Sequence, residues 1–204
     1  MNLRRRRRLG VVICLALLAT AAALAMAAVR STGASAAALH GDAVWAAGKQ
    51  PAPAFSLTDQ SGRRVTSASF RGRPWLLMFL DSKCTTLCPI AGHQIGVAER
   101  QMGANRIPLV VVSVNPADTP WSIHRAAREW GWHGGWTWLM GTAAQLRPVW
   151  KAYHIGVMST AQGISHTIAV YLVDGQGDER AGFLPPIATG ALIRDVAVLR
   201  GGHA

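Results

Sequence analysis

Two cysteines, Cys84 and Cys88, lie four residues apart in the segment DSKCTTLCP, which runs from Asp81 to Pro89. Residues at this spacing share one face of a helical turn, with β-carbons about 5 to 6 Å apart. The two sulfurs can therefore converge on one soft metal ion or form a disulfide. Thiolate pairs select Cu(I) among physiological metals, and a nitrogen ligand would complete a trigonal site. The pair predicts either copper binding or thiol-disulfide exchange.

The residues around the pair predict acidic thiols. Pro89 fits the first turn of a helix, where its missing N–H needs no partner. Cys88 then lies near a helix N-terminus, whose dipole and free amides favour a thiolate, and Lys83 adds a positive charge nearby. The third cysteine, Cys14, lies in a long apolar run and is expected to be a hydrophobic residue that faces lipid.

The cysteines follow an apolar run, residues 75–80, that is typical of a strand buried on both faces. A second such run covers residues 109–114, and the helix-length segment between them, 88–102, indicates a βαβ unit with parallel strands. The Cys84 loop then lies at the carboxyl end of a parallel strand, where α/β folds bind ligands. The other patterns predict an entrance hairpin over 54–65, helices over 121–130, 143–153 and 189–199, strands over 136–140, 167–173 and 181–184, and a turn at 174–177. This order predicts an α/β protein of the thioredoxin-like fold with a central mixed sheet.

The N-terminal segment combines five arginines, Arg4 to Arg8, with an uncharged run from Leu9 to Val29. A helix of that length covers about 30 Å, the thickness of a bilayer core, and the arginines indicate a cytoplasmic N-terminus. We therefore predict one transmembrane or signal-anchor helix within residues 1–30 and a single-pass protein whose domain is extracytoplasmic. Small residues around Ala34 to Ala38 offer a cleavage site, and cleavage would instead release a secreted or periplasmic domain.

Behind the membrane segment, residues 31–52 are rich in Ala, Ser and Gly and predict a flexible tether, and residues 53–202 predict one domain. The 204 residues carry a formal charge of +11, but six positive charges precede residue 39. The remaining 15 basic and 10 acidic residues give a net charge of +5, which does not predict a nucleic-acid partner. Three cysteines are too few for a disulfide framework or a four-thiolate zinc site.

Several segments resemble the SCO/SenC family of thioredoxin-like copper chaperones, over about residues 53–200. They are the entrance segment 55–60 (FSLTDQ), the Cys-x-x-x-Cys-Pro motif at Cys84 to Pro89, and the segments 112–120 (VSVNPADTP) and 165–174 (SHTIAVYLVD). The resemblance implies delivery of copper to the binuclear copper site of cytochrome c oxidase, with one copper ion, expected as Cu(I), bound by Cys84, Cys88 and His166. It implies the copper-bearing oxidase subunit as partner, alongside thiol reductants or other copper chaperones, and membrane contact through the N-terminal helix.

The sequence departs from the family pattern beside two of these residues. Members usually carry a proline after the first cysteine and an acidic residue beside the histidine, where this chain has Thr85 and Ser165. Neither position is a ligand in the resemblance, so the departures concern tuning and partner recognition. Among the other histidines, His93 falls on a different helix face from Cys88. His40 and His203 are expected in flexible ends, and no motif supports His124, His133 or His154.

Two alternative functions use the same residues. An extracytoplasmic thiol-disulfide oxidoreductase would use Cys84 and Cys88 as its catalytic pair, and this role can coexist with copper delivery because a dithiol client must be reduced before it is loaded. A peroxiredoxin-like peroxidase is indicated more weakly by the Thr-x-x-Cys spacing of Thr85 and Cys88, with Asp81 where a proline is expected. The five tryptophans between residues 121 and 138 are expected to pack into the core rather than form a binding platform.

Overall fold

The structure is a computed structural model that describes residues 38–161 and 163–201. Along the described chain the strands are β1 (Ala43–Val44), β2 (Ser56–Asp59), β3 (Arg64–Thr66), β4 (Trp75–Leu80), β5 (Leu109–Ser113), β6 (Trp136–Met140), β7 (Val157–Thr160), β8 (Gly163–His166), β9 (Val170–Val173) and β10 (Glu179–Phe183). The helices are α1 (Leu87–Met102), α2 (Pro120–Glu129), α3 (Ala143–Ala152) and α4 (Thr189–Gly201), with short 3-10 turns at Ser67–Phe70 and Gly103–Asn105.

The centre of the sheet consists of β4 and β5, which are buried along their whole length because their runs are almost entirely apolar. The two strands pair in parallel, with Leu76 opposite Leu109, and α1 connects them. β6 extends the parallel part on one side, while β9 pairs antiparallel with β4 on the other. The full order is β1-β10-β9-β4-β5-β6-β2-β3. The prediction of a central mixed sheet with the thioredoxin-like arrangement is confirmed.

Alternate side chains of β4 build the core on both faces of the sheet. Leu76, Met78 and Leu80 pack in one apolar cluster that also contains Cys88 and residues of α1, α2 and α4. Leu77 and Phe79 point the other way and pack with residues of α3 and the entrance hairpin. Helices therefore cover both faces, which fixes the carboxyl end of β4, and the loop that follows it, against a rigid scaffold.

The segment before the entrance hairpin is held along the edge of the sheet. β1 pairs antiparallel with β10, and Gln50 accepts a hydrogen bond from the backbone N–H of Glu179. His40 is anchored as well, because its backbone N–H donates to the buried carboxylate of Asp195 on α4. The prediction of a flexible tether is therefore wrong for residues 40–52, and the expectation of a flexible end at His40 is wrong too. The sequence missed this pairing because β1 is short and depends on a partner strand distant in the chain.

A second correction concerns the strand predicted over 167–173. The strand in the central sheet begins only at Val170, and the residues before it form a separate two-stranded hairpin of β7 and β8. In this hairpin Val157 lies opposite His166 and Met158 lies opposite Ser165. Hydrogen bonds between Gly156 and Thr167 close its base. His166 is thus the last residue of a hairpin strand.

The predictions for the N-terminus lie outside the described residues, including the membrane segment within residues 1–30, Cys14 and the start of the tether. From Leu39 onward the chain forms one compact unit, which begins earlier than the predicted domain boundary at residue 53. Within residues 38–161 and 163–201, no helix is long and apolar enough to cross a membrane.

Candidate metal centre

The thiol pair lies at the carboxyl end of β4, where the loop turns into α1. The helix begins at Leu87, so Cys88 and Pro89 both belong to its first turn, as predicted. The N-cap residue, Thr86, makes no side-chain capping bond, which leaves the first amides of the helix unsatisfied by that side chain. Cys88 is fully buried, whereas Cys84 on the preceding loop is half-buried, and both are free thiols. One sulfur therefore faces the core and the other reaches the surface.

The hairpin brings His166 onto the buried thiol. Its Nε2 atom lies 3.2 Å from Sγ of Cys88. On the other side of the ring, Nδ1 lies 2.9 Å from the backbone carbonyl oxygen of Thr167. A carbonyl oxygen only accepts hydrogen bonds, so Nδ1 carries a proton, and Nε2 is the ring nitrogen that lies against the sulfur of Cys88. A backbone partner of this kind also orients a histidine for metal binding.

One small pocket, of about 90 Å³, contains all three predicted ligands. The α1 side contributes Cys84 and Cys88, and the hairpin side contributes His166. The rest of the lining consists of Thr86, Leu87, Ile164, Ser165 and Ile168. Among the described residues, no set of three or more His, Cys, Asp or Glu side chains is already grouped closely enough to hold a metal ion. The structure thus joins Cys88 and His166 directly and places Cys84 beside them.

The two thiols differ sharply in acidity. The pKa of Cys84 is lowered to about 4, chiefly because the Cys88 thiol donates a hydrogen bond to its sulfur, with further hydrogen bonds from Thr86. The pKa of Cys88 is raised, because ionising it would remove that hydrogen bond and because it is buried. The pair therefore loses its first proton easily from Cys84 and holds the second, which yields a thiolate at the more accessible position.

Hydrogen bonds to a buried carboxylate, Asp118, hold the loop that carries Cys84. Ser82 donates to its Oδ1 atom at 2.5 Å, and Ser113 at the end of β5 donates to Oδ2 at 2.7 Å. Burial raises the pKa of Asp118 to about 6, against the lowering effect of these hydroxyls. The sequence marked Asp118 only as part of a motif. Its role in holding the loop depends on contacts between residues far apart in the chain.

The remaining predictions near the site have clear outcomes. Lys83 precedes Cys84 in the chain, and its ammonium group donates to the carbonyl oxygen of Ala117 at 2.6 Å. His93 is exposed on α1 and is absent from the pocket lining, and His124 packs against the ring of Trp136.

The prediction that the tryptophans pack inward is confirmed for Trp130, Trp132 and Trp138, which are buried in contact with one another, whereas Trp121 is exposed.

Curated relatives of this chain carry Sco names. It is 27% identical over 129 residues to the mitochondrial SCO1 homolog 1 of Arabidopsis thaliana, a match that covers 58% of this chain and 38% of the relative. It is 29% identical over 134 residues to the mitochondrial SCO2 homolog of Bos taurus, which covers 60% of this chain and 50% of the relative. The chain thus matches half or less of the length of these two relatives.

The fold and the family model agree with these matches. The solved structure of copper-bound ScoI from Bradyrhizobium japonicum superposes with a TM-score of 0.64 at 26% identity, over 73% of this chain and 99% of that one. The SCO1/SenC family model matches residues 46–199, a range that contains Cys84, Cys88, His166 and Asp118. The chain therefore belongs to the SCO1/SenC family.

Proposed function

We propose that this protein binds one Cu(I) ion through Cys84, Cys88 and His166 and delivers it to the copper-bearing subunit of cytochrome c oxidase. The contact between Cys88 Sγ and His166 Nε2, with the Cys84 thiol in the same pocket, carries the proposal. Two sulfurs and one imidazole nitrogen are the soft donor set that suits Cu(I). The family implies the oxidase as client, and copper is bound in the solved structure of the Bradyrhizobium japonicum relative.

The three proposed ligands have different roles in holding and releasing the ion. Thr167 fixes the ring of His166 through Nδ1, so Nε2 stays directed at Cys88. Cys88 is enclosed by the core, whereas Cys84 is accessible to a client. Transfer proceeds by ligand exchange without a change in oxidation state. Client thiols lose their protons as they bind the ion, and the released sulfurs of this protein take up protons. Of the two thiolates, Cys84 is exchanged first, because Cys88 is fully buried.

The proposal places the domain outside the cytoplasm, anchored by the membrane segment within residues 1–30. The arginine block and the apolar run support this location, because together they indicate a cytoplasmic N-terminus. Mass spectrometry of the mature protein from cell membranes tests the anchor. An intact N-terminus in the membrane fraction is expected, whereas a mature chain that begins after Ala36 would show that the segment is cleaved.

A Cu(I) titration of the full-length chain tests the ligand set. The background variant is Cys14→Ser, so that only the two site thiols are present. We expect one equivalent to bind tightly. Cys84→Ser, Cys88→Ser and His166→Ala should each weaken binding by more than the roughly 10- to 100-fold that changes beyond the direct ligands cost. His93→Ala is the matched control, because His93 is an exposed histidine of the same helix as Cys88, and it should bind normally. Normal binding by His166→Ala would rule out the three-ligand site.

A second function, thiol-disulfide exchange, is favoured by the lowered pKa of Cys84. The Cys84 thiolate would attack a client disulfide and form a mixed disulfide, and Cys88 would then displace the reduced client and close a Cys84–Cys88 disulfide. Incubation of the reduced protein with a disulfide-bonded client peptide should release two client thiols per chain, and Cys88→Ser should trap the mixed disulfide. A peroxidase role is not favoured, because Cys88 is fully buried with a raised pKa, and peroxide reacts with accessible thiolates.

A further inference from the structure

The surface of the domain is far more positive than its net charge of +5 indicates. Within residues 38–201, thirteen of the fifteen Lys and Arg side chains are exposed. Only two of the ten Asp and Glu side chains, Asp42 and Glu129, are exposed. Most of the others are buried in hydrogen-bonded or packed positions. Among the described residues, Arg63 is the one exposed cation that forms an ion pair, and its partner is Asp59.

Six of the exposed cations lie at one end of the sheet, opposite the thiol pair. The loops that precede β4, β5 and β6 meet there, since parallel strands begin at the same edge, and α1, α2 and α4 end there. Arg200 at the end of α4 hydrogen-bonds Asn105 in the loop before β5, and Arg100 of α1 hydrogen-bonds Gly131 in the loop before β6. We call this surface the arginine end, and its members are Arg71, Arg73, Arg100, Arg106, Arg128 and Arg200.

Helix dipoles explain only half of this arrangement. Arg100, Arg128 and Arg200 lie in the last turns of helices, where a positive charge is favourable in any protein. Arg106 follows the 3-10 turn at the end of α1 and interacts electrostatically with the buried Glu99. Arg71 and Arg73 lie in the connecting segment before β4, far from the last turn of any α-helix. The one exposed acid nearby, Glu129, interacts with Arg125 at 3.8 Å rather than with a member of the arginine end. Arg71 and Arg73 therefore call for another explanation.

We propose that the arginine end binds the surface of a membrane that contains anionic phospholipids. The positive charges spread across the sheet instead of converging on one cavity, which suits a broad charged surface and not a small anion. The membrane anchor proposed above for residues 1–30 would keep the domain at a bilayer surface, where each basic residue strengthens attachment to anionic lipid about fivefold. The chain between residues 31 and 39 can extend about 30 Å, so it allows this contact.

This contact has a consequence for the site. The Cys84 loop follows the carboxyl end of β4, and the arginine end lies at the amino ends of the parallel strands. Binding of the arginine end to lipid therefore turns the thiol pocket towards the aqueous phase, where a partner can reach it. The proposal concerns orientation alone, and it holds whether or not the pocket binds copper.

Hydrogen-deuterium exchange of the full-length chain in lipid nanodiscs tests the contact. In discs with about one third phosphatidylglycerol, amide exchange in residues 71–74, 103–108 and 131–135 should slow at least about fivefold relative to discs of pure phosphatidylcholine. Exchange in residues 83–88 should not change. The protection should disappear at high salt, because the attraction between exposed charges is screened. Soluble glycerophosphoglycerol, added to phosphatidylcholine discs at the same headgroup concentration, should give no protection.

Two matched triple variants decide whether the arginine end itself is responsible. Arg71→Gln with Arg73→Gln and Arg106→Gln should abolish the protection and leave the helix ends intact. Arg64→Gln with Arg147→Gln and Lys151→Gln removes the same charge elsewhere and should keep it. Equal loss in both variants, equal protection in phosphatidylcholine, or protection that appears only when an acidic protein is added would each overturn the proposal.

Discussion

The two sides of the thiol pocket are built in opposite ways. Cys84 and Cys88 follow a strand buried on both faces, and Cys88 is itself a member of the larger core cluster. His166 belongs to a two-stranded hairpin outside the central sheet. Of the described residues of that hairpin, Val157 and Ile164 pack partly against the core. The proposed ligand set has to hold and then release an ion, and this difference suits both steps. The thiol side supplies a fixed geometry, and the histidine side is the one that local opening can move.

The largest expected effect is on the thiol side. Leu76 is fully buried in β4, in the same cluster as Cys88 but at the far end of the strand from the pocket. Leu76→Ala should lower the free energy of unfolding by about 2 to 5 kcal/mol, because it leaves a cavity in a packed core. Urea denaturation followed by tryptophan fluorescence measures the change. A loss below about 1 kcal/mol would show that the thiol side is not the rigid side.

The thiol side of the pocket could be predicted from the sequence more completely than the histidine side. The runs at 75–80, 109–114 and 136–140 are almost entirely apolar, and this pattern predicts buried strands. Each strand in the structure lies within one residue of its predicted bounds. The hairpin residues 157–166 are short and half polar, and their pairing depends on packing that no local pattern shows. The sequence motifs were enough to name the three proposed ligands. The contact of His166 with Cys88, and the support that Asp118 gives the loop, required the structure.

A buried acid on α1 should make the thiol side sensitive to pH. Glu99 is 5% exposed, and its Oε1 atom has no hydrogen-bond partner within the described residues. Burial raises its pKa from an ordinary 4.5 to about 7. The folded state therefore holds this proton more tightly than the unfolded chain, and stability falls as the pH rises from about 4.5 to about 7, by up to about 3 kcal/mol.

Glu99→Gln should remove this contribution. The variant should be more stable than the unmodified protein at pH 8, by about 1 to 3 kcal/mol, and should lose that advantage at pH 4.5, where Glu99 is protonated. Urea denaturation at both pH values measures the difference. The stability of the variant should still fall somewhat as the pH rises, because burial raises the pKa of Glu179 to about 7 as well. Glu129→Gln, at an exposed glutamate, is the control, and an equal effect there would argue against burial as the cause.

A smaller and local effect is expected on the histidine side. Ile164 packs its half-buried side chain against the core next to Val157, which lies opposite His166. Ile164→Ala should cost about 1 kcal/mol, since little apolar area is lost. Hydrogen-deuterium exchange should accelerate in residues 157–166 and stay unchanged in β4 and β5. Faster exchange throughout the domain would mean that the hairpin is part of the same cooperative unit as the core.

The smallest effect is expected at Ser165, where the family usually has an acidic residue. Ser165 is exposed and lies opposite Met158 in the hairpin, so a carboxylate there meets water rather than the core. Ser165→Asp should change stability by less than about 0.5 kcal/mol. Exposed charges interact by at most about 1 kcal/mol, so Cu(I) affinity should rise by less than about fivefold. Ser159→Asp places the same charge on the other strand of the hairpin and should change the affinity less. An effect at Ser165 as large as that of His166→Ala would mean that the histidine side also has a fixed geometry, in which the residue beside the ligand controls its position.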